Sequence, residues 1–326
     1  MSARPLALAV AVSVLSPTVA VRIPVALAVE PAFDEAPTME AERRLPERPA
    51  LPWSAFLTVP SGNPVNGEAL SGGQPNVWVH VPARFDWEAD KLSVVVVFHG
   101  FHNCLRSFVA STGQPCKRFQ YPRTAYDLVG QFARAEARSI VVVPQLAYDA
   151  HASDPGVLGR AGAVRALVAD ALAAARPFVG DRGVEAIERV AYVSASGGFE
   201  ALYPALARGG FAVDDVLVLD GFYGGSPEFD AWVEGAIDAV ASPRPKRLAI
   251  VYATSETTLP PTEAFGEALR ARLVPRGRAA SLRFETKESV LTVTDLAAPF
   301  SIVHSHETHD EVARVELWKL LAAARL

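Results

Sequence analysis

Five consecutive apolar residues, Val94, Val95, Val96, Val97 and Phe98, constrain this chain more than any other feature of it. Successive side chains of a strand point to opposite faces, so a strand written this way is apolar on both and needs cover on both. Comparable runs, several of them solidly apolar, predict strands at 76–81, 92–98, 139–144, 189–194, 215–219, 247–253 and 281–286. Between and after them lie helical periods at 125–137, 162–178, 199–208, 227–240, 262–273 and 311–323. Alternating strands and helices of this length imply an α/β fold, a doubly wound and mostly parallel sheet with helices on both faces. Ligands of such sheets bind beyond the carboxyl ends of the strands, so the residues just after each strand carry the functional information.

Composition narrows the class. Half of the 326 residues are hydrophobic and 21% are charged, which excludes a disordered chain. With 31 basic against 36 acidic side chains the net charge is -5, and no general basic field exists to displace counterions from a phosphate backbone. Nucleic acid is therefore not expected as a partner. No Gly-x-Gly-x-x-Gly or phosphate-loop pattern follows the early strands, and no cofactor is expected.

The first residues read differently from the rest. Arg4 precedes an apolar run from Pro5 to Leu15, followed by small residues at Ala20 and Ala28 where a cut could fall. This is the order of a secretory signal, predicted over 1–28, and the run is too short to span a bilayer. A tether rich in proline and charge follows at 29–52, and a single domain at 53–326. The expected product is secreted or periplasmic, with no stable membrane span once the signal is removed. The only two cysteines, Cys104 and Cys116, share one short polar stretch. In an oxidising compartment they are expected to close a small loop, an effect worth about 3 kcal/mol on loop-entropy grounds.

Three strand ends carry chemistry. Tyr192-Val193-Ser194-Ala195-Ser196-Gly197-Gly198 runs from a strand through a tight turn into a helix. A serine at such an apex projects above the sheet, and small residues two before and two after it, here Ser194 and Gly198, let neighbouring backbone pass. Gly197 would offer the first N–H to an oxyanion at the helix N-terminus. The second end is Phe98-His99-Gly100-Phe101-His102, where Phe101 or His102 could add the second donor; His99 is expected to bond its own loop. The third holds the acid, for which two residues compete. Asp220 ends the apolar strand 215–219, where a buried carboxylate is costly without a partner such as an imidazolium, and Glu256 follows the strand at 247–253.

On these residues the chain resembles the α/β-hydrolase superfamily of serine esterases, lipases and peptidases, from about Val77 to Leu321. His99-Gly100 after one strand, Ser196 in a small-x-Ser-x-Gly elbow and a late histidine carry the resemblance. The elbow departs from the usual Gly-x-Ser-x-Gly in having Ser194 first. Cys104 is similar in place to a cysteine of some exported esterases and polyester depolymerases of this superfamily. The resemblance implies a nucleophile at Ser196, an acid at Asp220 or Glu256, and a base among His309, His306 and His304 on the loop before the last helix, where Thr308 and Glu311 make a capping-box pattern. It implies an exported hydrolase acting on small-molecule or polymer esters. Two alternatives are a non-catalytic binding protein on the same scaffold, and a metal-dependent hydrolase using the His-x-His-x-x-His spacing of His304, His306 and His309. Only 17 residues follow His309, and none is histidine or cysteine, which leaves that spacing without downstream ligands.

Overall fold

The computed structural model describes residues 49–63, 75–101, 104–114, 124–146 and 153–326, all within one unit, Arg48–Leu326. The signal and nearly all of the tether, His102 and Cys116 lie outside the described residues.

The strands are β1 (Trp53–Leu57), β2 (Val77–Val81), β3 (Leu92–Phe98), β4 (Ile140–Pro144), β5 (Ile187–Ala195), β6 (Asp215–Leu219), β7 (Arg247–Tyr252), β8 (Leu282–Ser289) and β9 (Phe300–Ser305). They form one sheet in the order β1-β2-β4-β3-β5-β6-β7-β9-β8. From β4 to β8 every neighbouring pair is parallel, whereas β1 and β2 add an antiparallel edge. The helices are α1 (Leu105–Val109), α2 (Leu128–Arg134), α3 (Ala163–Ala174), the single turn α4 (Arg176–Val179), α5 (Phe199–Arg208), α6 (Pro227–Ala239), α7 (Leu259–Leu273) and α8 (His309–Ala324). This open, mostly parallel sheet covered on both faces is the doubly wound α/β fold that the apolar runs predict.

The double burial demanded by the valine run is met by parity. Val94, Val96 and Phe98 join a core with Tyr192, Val218 and Ile250 under α3, α5, α6 and α7. Val95 and Val97 join a second core with Val193, Leu219 and Val251 under α1, α2 and α8. Adjacent parallel strands lie about 4.8 Å apart, and the register sets Ala195 beside Leu219 and Leu219 beside Val251. The next residues out, Ser196 and Asp220, therefore leave neighbouring strands at the same level.

Two strands differ from the sequence expectation. β1 was not anticipated; its five residues alternate between half-buried and exposed at the sheet edge, too short a pattern to stand out. β9 occupies a segment expected to be a loop. All six of its residues are buried, and His304 is thus a strand residue pairing in register with Tyr252 rather than a loop residue. The capping box is not formed either: Thr308 is the N-cap of α8, but its hydroxyl bonds the Glu311 carboxylate at 3.0 Å instead of a backbone N–H.

Ser194, in the place the superfamily usually gives to glycine, is fully buried, and its hydroxyl finds no hydrogen-bond partner among the described residues. A buried unpaired hydroxyl costs stability. Ser194→Ala is expected to leave stability unchanged or raise it by up to about 1 kcal/mol, read as the midpoint of urea unfolding; a loss above that size would mean that the hydroxyl has a partner.

Candidate active site

The turn at Ser196 is built by strain and close approach. Ser196 has φ of +48°, the left-handed region that non-glycine residues rarely occupy, as the first residue of a 3₁₀ turn from Ser196 to Gly198 that runs into α5. Asp220, alongside it, also has positive φ, at +41°. Both side chains are turned away from the path their strands would have continued. Two glycines make room: a Cβ at Gly198 would run into the carbonyl of Phe98 on β3, and one at Gly221 would stand 2.5 Å from the Ser196 carbonyl oxygen. Any side chain at Gly221 would push the strand ends apart.

Three groups from three elements meet there. Ser196 Oγ lies 2.9 Å from His309 Nε2, and His309 Nδ1 lies 2.6 Å from Asp220 Oδ2. His309 is the first residue of α8, whose N-cap Thr308 lies three residues beyond the end of β9 at Ser305. Asp220 is 1% exposed, so its charge is taken out of water and answered by named donors. Thr258 Oγ1 donates to Oδ1 at 2.6 Å and the Ala253 N–H donates to the same oxygen at 3.2 Å. The hydrogen bond to Asp220 raises the pKa of His309 above 6.5 against the opposing effect of burial, with the charges of Asp220 and Asp310 adding to the rise. A carboxylate accepts only, so the imidazole carries its proton on Nδ1, and Nε2 is left as the acceptor for the Ser196 hydroxyl. An arrangement of this kind can take the serine proton while the oxygen bonds to an electrophilic carbon.

On the far side of the turn the loop after β3 closes in. A Cβ at Gly100 would stand 3.0 Å from that of Ser196, and the ring of Phe101 covers the face of Gly197 where a side chain would project. Gly197 and Phe101, the expected oxyanion donors, are thus brought together beside Ser196. His99 faces away: Nδ1 bonds the Gly100 carbonyl at 3.0 Å, Nε2 accepts the Leu146 N–H at 3.0 Å, and burial lowers its pKa to about 4, so it is a neutral loop anchor. Cys104 is buried at the start of α1.

The competing candidates stand elsewhere. Glu256 is exposed, on the loop from β7 to α7. His304 is stacked on Tyr252 and bonds the Thr286 carbonyl at 2.9 Å and Thr254 Oγ1 at 3.1 Å. His306 is exposed beside Glu307. The three late histidines do not converge, and no group of three or more His, Cys, Asp or Glu side chains among the described residues is disposed to hold a metal ion.

Sequence reasoning missed two residues. Tyr223, three residues past Asp220, brings its hydroxyl 3.5 Å from Ser196 Oγ and packs its ring 4.8 Å from that of Phe199. Burial raises its pKa, so the phenol keeps its proton and can donate. Thr258, the other, is the N-cap of α7 after the loop from β7. The only signal for either was nearness to Asp220 or Glu256 in the sequence.

No protein-family model matches the chain, and no curated protein matches its sequence. Among solved structures, a feruloyl esterase module from Clostridium thermocellum complexed with sinapinate is similar over 82% of this chain and 90% of its own, at 13% identity and a TM-score of 0.41. The acylaminoacyl peptidase of Pyrococcus horikoshii covers 76% of this chain with 38% of its own, at 11% identity and a TM-score of 0.37. TT1662 from Thermus thermophilus is 15% identical with a TM-score of 0.34, over 77% of this chain and 94% of its own. The likeness to each is one of overall fold.

The raised pKa has a measurable sign. His309 gains a partner on folding, so the pair adds stability that is fully present below the unfolded value near 6.5 and is lost as pH rises through the higher folded value. Imidazole NMR titration is expected to place His309 above 6.5 and to move it down in Asp220→Asn. An unchanged value in the variant would mean that the carboxylate does not act on this ring.

Proposed function

We propose that this α/β-hydrolase-like chain is a serine hydrolase that cleaves carboxylic esters through an acyl-enzyme. The observation that carries the reading is the continuous hydrogen-bonded line from Ser196 Oγ through His309 to the buried Asp220. Ser196 Oγ attacks the acyl carbon as His309 Nε2 takes its proton, and Asp220 holds the Nδ1–H tautomer and stabilises the imidazolium. The N–H groups of Gly197 and Phe101 receive the oxyanion, aided by the positive end of α5. The imidazolium then protonates the leaving alcohol, and the same base activates the water that releases the acid. No step needs a cofactor. The Tyr223 phenol, 3.5 Å from Ser196 Oγ, stands on the β6 side of the serine, while Gly100 and Phe101 stand on the β3 side.

Ester cleavage is favoured over amide cleavage as the simpler demand on this machinery, and the substrates in view are small-molecule or polymer esters. The signal-like 1–28 segment supports an exported enzyme. Among the described residues no helix is long and apolar enough to cross a membrane. Export would also place Cys104 and Cys116 where a disulfide persists.

Ser196→Ala is expected to abolish both fluorophosphonate labelling and hydrolysis of short p-nitrophenyl esters, with the circular-dichroism spectrum intact. Asp220→Asn should lower kcat about 10⁴-fold through loss of the productive tautomer, and Glu256→Gln should be mild. Near wild-type turnover in Ser196→Ala would defeat the assignment. For the bridge, intact-mass analysis of non-reduced, alkylated protein from the exported fraction is expected to find no alkylated thiol; two alkylated thiols would refute it.

A further inference from the structure

The loop from β7 to α7 holds the acid that β6 supplies. Asp220 Oδ2 is taken by His309, and Oδ1 is taken by two donors of that loop, the Ala253 N–H and the Thr258 hydroxyl. A carboxylate turns broadly about its terminal torsion. Its plane is therefore set by what binds the oxygen facing away from the histidine. The shorter of the two bonds on that oxygen, 2.6 Å, comes from Thr258, which is fully buried.

Thr258 is also freed from the ordinary work of a residue in its place. It is the N-cap of α7, where a threonine hydroxyl usually accepts an N–H from the second or third helical residue. Those residues are Pro260 and Pro261, which have no N–H, and the Thr258 side chain makes no capping bond. Its backbone is fixed independently: the carbonyl accepts from Thr262 Oγ1 at 2.6 Å and from the Thr262 N–H at 3.1 Å. Thr258 Oγ1 thus has no capping bond to accept, and its one O–H is donated to the carboxylate from a helix end whose own backbone is bonded.

We infer that Thr258 is a positioning residue of the active site, acting through Asp220 by fixing the carboxylate in the plane that directs Oδ2 at His309 Nδ1. The inference rests on the triad reading above. Thr258→Val keeps the shape and removes only the hydroxyl, and no helix cap is lost with it. Oδ1 then keeps only the longer Ala253 bond, and the carboxylate can swing.

The test is a cycle of Thr258→Val and Asp220→Ala assayed with a p-nitrophenyl ester. Thr258→Val is expected to lower kcat about 10- to 100-fold, the scale of a hydrogen bond to a charged group, with KM little changed. Thr258→Ser should restore most of the rate. In the Asp220→Ala background Thr258→Val should cost nothing further, because the group it orients is gone. Equal losses in both backgrounds would overturn the inference, since a general packing defect has no need of Asp220. So would a normal kcat in Thr258→Val. If Asp220→Ala itself left kcat intact, the triad reading would fail instead, and the inference with it. Should Thr258→Val not fold, Thr258→Ala is read in the same two backgrounds. The low-field proton on His309 Nδ1, followed by NMR, is expected to weaken or shift when the hydroxyl is removed and to return in Thr258→Ser.

Discussion

A single carboxylate, buried to 1% exposure at the end of an apolar strand, organises the functional end of this molecule. Taking the charge of Asp220 out of water is costly unless hydrogen-bond donors answer it. Satisfying it draws together four parts of the chain: the end of β6, the Ala253 amide after β7, the N-cap of α7 and the first residue of α8. The sheet provides the platform, since parallel strands of matched register deliver Ser196 and Asp220 to the same edge. The carboxylate then decides which imidazole stands over the serine, and in which tautomer.

The same site carries local strain. Ser196 and Asp220 both sit at positive φ, a conformation that costs non-glycine residues of order 1 kcal/mol or more each. The strain is held by the surroundings: two buried cores lock the strands from both faces, and glycines at 198 and 221 remove the atoms that would collide. Rigid strands below and bonded side chains above leave the turn little freedom to relax.

The parts legible in the sequence were those in which one residue's environment follows from its immediate neighbours. The valine run required a sheet covered on both faces, and small residues around Ser196 marked a turn. The acid was legible only as a pair of competitors, with Asp220 ahead of Glu256 because a carboxylate after Val216-Leu217-Val218-Leu219 has no water to fall back on, whereas Glu256 lies among threonines and serine in a polar loop. The histidine was less legible. His304, His306 and His309 lie within six residues, and only the pairing of β9 with β7 buries the first, so that the helix start presents the last. That strand was hidden because its end carries His304, the first of the histidines that suggested a catalytic loop.

Thr258 was illegible for a different reason. A hydrogen bond spanning 38 residues leaves no local pattern, and a threonine before two prolines reads as an ordinary helix start. A carboxylate carried on the loop after β7 would need no clamp from that loop; with the acid one strand nearer the serine, the same loop can hold the carboxylate from behind. The prolines begin α7 with the backbone angle a helix needs, and having no N–H they leave Thr258 Oγ1 with no capping bond to accept, so that its one bond is the O–H it donates to Asp220. A site assembled this way sets its buried charge at a strand end and the hydroxyl that meets it on a helix end whose own backbone is bonded.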